Sequence, residues 1–354
     1  MSIKLSAVDQ TPVHGSHDKN AAPSLSVELA KLCDQLGYYR YWVAEHHNSI
    51  HFANPCPEIL VSHLASVTER MRVGSGGVML SHYSPLKVAE CFSMMATLFP
   101  DRIDLGIGRA PGGSGLTSQA LAYPNVPNAG DYYSDKAQQL KGFINQTLPK
   151  EHPFHSIKVM PDHTPQPQLW MLGSSGGSAE LAGQLGYNLA LARFIDPDNC
   201  HPAIFTGYRT AFEKANHGYS SHTMLAIACI CAETEEEAKL RAGTAVYRKL
   251  AAQMGQRADF LTPAEVQDRY RHLSVSLQSA YDHILAGYTV GTPEQCWDEI
   301  HRLSTEFGCQ EIAMVTVTYS QADRLDSYRL IGQLLYSERK RRPFRRLLRL
   351  GYWL

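Results

Sequence analysis

The chain has 354 residues, 44% of them apolar and 19% charged, with a formal net charge of -1. That balance lacks the excess of Lys and Arg that a phosphate backbone demands, so nucleic acid is not an expected partner. No stretch approaches the ~18 apolar residues of a membrane span, no export signal opens the chain, and its scattered Cys contain no C-x-x-C pair. Reduced thiols and a cytoplasmic location are the expectation.

In chain order, short β-rich runs alternate with helical ones. "IKLSAVD" reads as a strand and "SLSVELAKLCDQLG" as the helix after it, with Leu25, Leu29, Leu32 and Leu36 at helical spacing and Gly37 as the stop. The unit recurs as "YYRYWVAEH" with a helix over 57–68, "RVGSGGVML" with 85–99, and "RIDLGIG" with a later helix around 135–147. "QLWMLG" precedes a helix over 178–185, "YNLALARF" one near 202–216, and "TMLAIACICA" supplies a seventh strand. In that strand Cys229 and Cys231 share one face and read as small buried hydrophobes. The last strand is "EIAMVTVT", closed by a helix over 322–336. Strands without strict alternation, set between helices, predict a parallel sheet covered by helices. Eight of them fit an α/β fold of the (β/α)8 TIM-barrel type in one domain over 1–338, with a doubly wound open sheet as the alternative.

Two segments exceed a minimal barrel. Residues 233–287 form a polar, helical insertion after the seventh strand, expected on the face that carries strand C-termini. It ends before a helix start marked by Thr292 as N-cap, Pro293 at the first position and Gln295 three residues after the cap. Residues 111–131 form a long Gly- and Pro-rich loop after the fourth strand, and loops of that length on an active face are commonly covers. The basic C-terminal tail at 339–354 reads as a solvated tail, or as an amphipathic turn docked by Leu347, Leu350 and Trp353, and is assigned no function.

Parallel barrels gather function at strand C-termini. "GSSGGS", from Gly173 to Ser178, precedes a helix and offers backbone N–H groups and hydroxyls, notably Ser175 and Ser178, to an anion. Arg109 can add a bidentate contact from the neighbouring strand end, which suggests a phosphate site, although a Gly-Ser helix opening and a structural Arg ion pair would read the same way. In "GSGGVML", close approach of a flat ligand, a non-prolyl cis bond or a simple bulge would each account for the glycines, and the pattern alone favours the bulge. For Glu45-His46-His47 three readings stand: metal ligands, although adjacent His on a strand diverge; a structural His pair; or a His near neutral pKa, steadied by a carboxylate, poised for proton transfer.

The blocks "YRYWVAEHHN", "RVGSGGVMLSHYSPLKVAECF", "LFPDRIDLGIGRAPGG", "LWMLGSSGGSAELAGQLGY" and "VGTPEQ" together resemble the bacterial luciferase-like flavin monooxygenases, and more closely their luciferase family oxidoreductase, group 1 branch. The resemblance implies that His46, with Glu45 before it, is catalytic, that Gly76–Gly77 hold a non-prolyl cis peptide against the isoalloxazine, and that Gly108 lines the flavin face. It further implies that Arg109, Ser175, Gly176, Gly177 and Ser178 hold the FMN phosphate, and that Asp9 is a weaker pocket candidate. Implied with them are an FMN-dependent monooxygenase using reduced flavin and O2 through a flavin 4a-hydroperoxide on a small, aldehyde-like organic substrate, a separate NAD(P)H:flavin reductase, and a homodimer. A deazaflavin hydride-transfer enzyme and a non-catalytic flavin-binding protein are the alternatives. No metal is implied. "GIGRAPG" is not a dinucleotide fingerprint, and Arg193 in "LALARF" departs from the family pattern on the substrate side.

Overall fold

The computed structural model describes residues 3–15, 19–125, 132–162, 165–174, 176–256 and 259–349. Its strands are β1 (Lys4–Asp9), β2 (Arg40–Val43), β3 (Arg72–Met79), β4 (Ile103–Gly108), β5 (Gln168–Gly173), β6 (Asn188–Ala192), β7 (Thr223–Cys231), β8 (Thr289–Gly291) and β9 (Glu311–Val315). Every pairing between them is parallel. Strands β1 to β7 pair in succession and β9 joins β7 back to β1, so eight strands close a ring. The closed barrel excludes the open-sheet alternative. The extra strand, β8, pairs with Cys229–Cys231 at the end of β7 and was not expected from the sequence, since three residues give too short a pattern to read.

Helices α1 (Ala22–Leu36), α2 (Pro57–Ser66), α3 (Pro85–Leu98), α4 (Gly115–Ala122), α5 (Tyr133–Asn145), α6 (Ala179–Leu185) and α7 (Ala203–Ala215) follow the first six strands. After β7 come α8 (Glu235–Gln253), α9 (Pro263–His272) and α10 (Val275–Ala286), then α11 (Pro293–Glu306) and α12 (Gln321–Arg349). Local chemistry explains the boundaries. Gly37 ends α1 at φ 80°, a left-handed conformation costly for other residues. Thr292 and Gln295 form the reciprocal capping box that opens α11. The segment expected as a loop over 111–131 contains α4, capped by the Ser114 side chain accepting from Thr117 N, and its residues 126–131 lie outside the described residues. Helix α12 runs on to Arg349 rather than ending at 336, and Leu350 and Trp353 fall outside the described residues.

Two buried layers hold the barrel. The larger lies between strands and helices and includes Leu29, Leu64, Phe92, Leu140, Tyr208, Ile300 and Ile331, with Cys229, Cys231 and Cys296 among them as small apolar groups. The smaller fills the ring itself with Val8, Trp42, Trp170, Met224, Ala226 and Val315. At the N-terminal end of the ring Arg40 is buried, and its guanidinium meets Asp104 and Glu311 at 2.5 Å each. Asp104 also takes hydrogen bonds from Arg72 (2.7 Å) and Trp42 Nε1 (3.0 Å), so this ionic floor is satisfied on every side. One end of the ring is thus plugged by charge and indole, and a cavity opens toward the strand C-termini.

Candidate active site

At that end lies a cavity of about 470 Å³, bordered by residues from seven of the eight ring strands or the turns after them, Met224 and Ala226 of the seventh among them. Val8 and Gln10 border it from the first strand, Glu45 and His46 from the second, Gly76 and Gly77 from the third, and Gly108 and Arg109 from the fourth. Gly177 and Ser178 follow the fifth, and Ala192 and Phe194 lie at the sixth. Wider grooves exist on the barrel flank, such as one of about 890 Å³ between α6 and α7, but they lie away from the strand C-termini. Among the described residues no cluster could hold a metal ion.

The wall at β3 is the peptide Gly76–Gly77, which is cis, and the β3–β4 register also shifts between Gly76 and Val78. The cis bond and the strand irregularity therefore occur together. A methyl group on Gly76 would lie 3.0 Å from Trp42 Cβ, and one on Gly77 would lie 2.8 Å from Gly106 O, so neither position admits a side chain without displacement. A smooth backbone wall over the indole layer is what these glycines provide.

Strand β2 ends at Val43, and the chain beyond it is anchored by Ala44 N to Asp9 O, His46 N to Asn54 O and His47 N to Gly112 O. The carboxylate of the motif steadies His47 and not His46, the residue that the resemblance makes catalytic. Glu45 contacts His47 Nε2 at 2.6 Å and accepts from Tyr83 Oη at 2.7 Å and Met79 N at 3.0 Å, so it ties the β2 and β3 turns together. His46 packs its ring on Phe52, centroids 4.6 Å apart, and its Nδ1 is buried with no hydrogen-bond partner among the described residues. Burial, then the Arg248 charge, then His47 lower the His46 pKa to about 4, so the imidazole is neutral at pH 7 rather than poised near neutrality.

On the opposite side Arg109 has an exposed side chain, and its guanidinium has no hydrogen bond or ion pair among the described residues. A methyl on Gly177 would stand 4.0 Å from Arg109 Nη2, which puts the turn before α6 beside this cation. Buried Tyr133, at the start of α5, carries a hydroxyl with no partner among the described residues, and Arg109 acts on it electrostatically. Burial raises the Tyr133 pKa while the Arg109 charge opposes the rise, so the phenol stays protonated and able to donate. Two turns of chain are thus held around one point: Lys136, a helical turn after Tyr133, donates to the carbonyls of Ser81 (2.8 Å) and Tyr83 (3.0 Å) and fixes α5 against the end of β3. Sequence reading missed Tyr133, whose place in "DYYSDK" gives no periodic or motif signal.

Most of the expected site residues converge here: Glu45, His46, Gly76, Gly77, Gly108, Arg109, Gly177 and Ser178 border one cavity. Three others do not. Gly176 borders the flank groove between α6 and α7, because the turn after β5 carries it outward. Asp9 faces the helical layer, where it pairs with Arg324 and accepts from Tyr41 Oη and Thr11 N, since Val8 and Gln10 take the inward positions of the alternating strand. Arg193 likewise lies between the inward Ala192 and Phe194, and donates to Gly287 O at 3.1 Å. Ser175 lies outside the described residues.

The family model for luciferase-like monooxygenases matches residues 3–311. An uncharacterized Bacillus subtilis protein, YwcH, is 36% identical over 336 residues, covering 94% of this chain and 98% of its own. The N-acetyl-S-alkylcysteine monooxygenase of the same organism is 31% identical over 343 residues, covering 96% and 100%. Among solved structures, apo-MsnO8 superposes with a TM-score of 0.81 at 35% identity, covering 95% of this chain and 98% of that one. With this barrel, this cavity and a match over most of its length, the chain belongs to the luciferase-like monooxygenase family.

Proposed function

We propose that this protein is an FMN-dependent monooxygenase that takes reduced flavin and O2 and oxidises a small organic substrate, with a separate NAD(P)H:flavin reductase as its source of reduced flavin. The observation that carries the reading is an unneutralised Arg109 at one end of a cavity whose wall is the bare Gly76–Gly77 backbone, with a buried Tyr133 hydroxyl that has no partner among the described residues within reach of the Arg109 charge. An orphaned buried donor beside a free guanidinium suits a phosphate monoester, and a wall without side chains suits a flat ring. Ser178 and Gly177 complete the phosphate end.

Bound reduced flavin would supply the activation of O2. The chain's own contributions are separable. Arg109, Tyr133 and Ser178 hold the phosphate and so fix the ring's position along the wall. His46, kept neutral, offers a ring nitrogen to a proton at the cavity edge. Helix α4 and the α8–α10 insertion cover the mouth and exclude water, which would otherwise divert the reaction into uncoupled peroxide release.

The decisive experiment is anaerobic titration with reduced FMN, followed by rapid mixing with O2 while the spectrum is recorded. Tight binding and a long-lived species distinct from oxidised flavin are expected. No binding of reduced FMN, or immediate return to oxidised flavin, would sink the proposal; a deazaflavin in the same cavity would then be found by absorbance after extraction. His46→Ala should still bind FMN while coupled product formation falls by ~100-fold or more. Arg109→Ala should weaken FMN binding by ~10-fold to 100-fold, the scale of a lost charge-assisted hydrogen bond.

A further inference from the structure

Next to the large cavity is a second chamber of about 210 Å³ that shares Gln10, Phe194 and Ile195 with it. Its lining is mostly apolar, from Phe52, Ala228, Ile230, Val315 and Val317, with two cations of α8, Arg248 and Lys249, set into it beside Tyr288. Arg248 has no ion pair and no hydrogen bond among the described residues, and its Nε is sealed from solvent without a partner. Its visible company is the Phe52 ring, 5.3 Å from the guanidinium carbon. Tyr288 does not neutralise it, because burial keeps that phenol protonated. Lys249 adds a like charge, and it is committed to the carbonyls of Phe194 (3.4 Å) and Ile195 (2.9 Å). The nearby acids Asp196 and Asp198 act on Lys249, and Asp198 is itself paired with His283.

A partly buried guanidinium left without a counter-charge in an apolar chamber costs desolvation energy that, among the described residues, only the Phe52 ring face offsets, and only in part. The proposed flavin site does not use it, since the cations and donors offered to a phosphate lie at Arg109 and Tyr133. We propose that Arg248 binds the carboxylate of the organic substrate, whose reactive end extends past Phe194 and Ile195 into the flavin cavity. This identifies the substrate class as an organic acid with an apolar body, and it rests on the monooxygenase reading above. Phe52 links the two ends of the arrangement: one side of the site has it under Arg248, and the other has it under the His46 ring.

The test is calorimetric titration of the full-length protein with hexanoate and with hexanamide, in wild type and in Arg248→Gln, alongside a separate titration with FMN. Hexanoate should bind at least ~10-fold more tightly than the neutral amide in wild type, and Arg248→Gln should erase that preference. FMN affinity should be the same in both proteins. Equal affinities for the two probes, or no hexanoate binding at millimolar concentration, overturn the inference. So does a preference that survives Arg248→Gln but is lost in Arg109→Ala, which would put the acid in the phosphate cradle. If Arg248→Gln does not fold, the wild-type ratio still decides, and Arg248→Lys, which retains charge but not the planar fork, should keep a weakened preference. Failure of the flavin reading would appear in the FMN titration alone and leave the acid-to-amide ratio readable.

Discussion

Two arginines, Arg40 and Arg248, sit at opposite ends of one barrel and have opposite surroundings. Arg40 plugs the N-terminal end, where Asp104 and Glu311 both meet it, and these charges hold its proton more tightly despite burial. Arg248 overhangs the C-terminal end, where burial lowers its pKa and no carboxylate compensates. The same side chain therefore serves as a finished structural element in one place and an unfinished contact in the other. What distinguishes them is the accounting of partners, which burial alone does not reveal.

The largest expected effect comes from breaking the finished end. Arg40→Met strands Asp104 and Glu311 inside the barrel and should cost ~3–5 kcal/mol of stability, read as a lower urea midpoint. A loss below about 1 kcal/mol would mean that water or a shifted Arg72 replaces the missing charge.

The next effect sharpens the contrast through His46, which feels the Arg248 charge. An unfolded chain protonates His46 near pH 6.5, whereas the folded one does so near pH 4. Between those values the unfolded state binds more protons, so stability falls on acidification through this window, by up to about 3 kcal/mol from this group. His46→Gln should flatten that part of the pH–stability curve. Arg248→Gln should raise the His46 pKa and narrow the window, as monitored by the imidazole NMR titration; an unmoved titration would show that burial alone sets the value.

The smallest effect is the most diagnostic. Arg248→Gln should leave the ligand-free protein at least as stable as wild type, with a change of less than about 1 kcal/mol, because it removes a buried charge that has no counter-charge. A loss comparable to that of Arg40→Met would reveal a counter-charge and remove the contrast.

Much of this was legible beforehand. Eight strands were readable because each ring strand is buried on both faces and so appears as an apolar run between helices, as in "RYWV" and "NLALA". The glycines were readable as an anomaly, because three Gly in four residues fit no ordinary strand, but the pattern alone favours a bulge and the cis peptide came from the resemblance. The partnership of Glu45 was not, since which side a residue faces after Val43 depends on hydrogen bonds to Asp9, Asn54 and Gly112, far away in the chain. Asp9 and Arg193 failed for a related reason: a shift of one position along a strand exchanges inside for outside. Arg248 was invisible because "YRKL" within an acidic-to-basic helix looks like a solvated face, and only the packing of α8 over the barrel mouth makes it a buried cation.

The helix that carries Arg248 belongs to the insertion between β7 and α11, whereas Arg109 and the Gly76–Gly77 wall belong to the ring and its turns. On the reading proposed above, the cation for the substrate and the cation for the cofactor come from separate stretches of polypeptide, whose two chambers share Phe194, Ile195 and Gln10. An architecture divided in this way is modular: with a different cover over 233–287 a different acid or no acid at all becomes the guest, while Arg109 and the Gly76–Gly77 wall are inherited and only the charge felt by His46 changes with the cover.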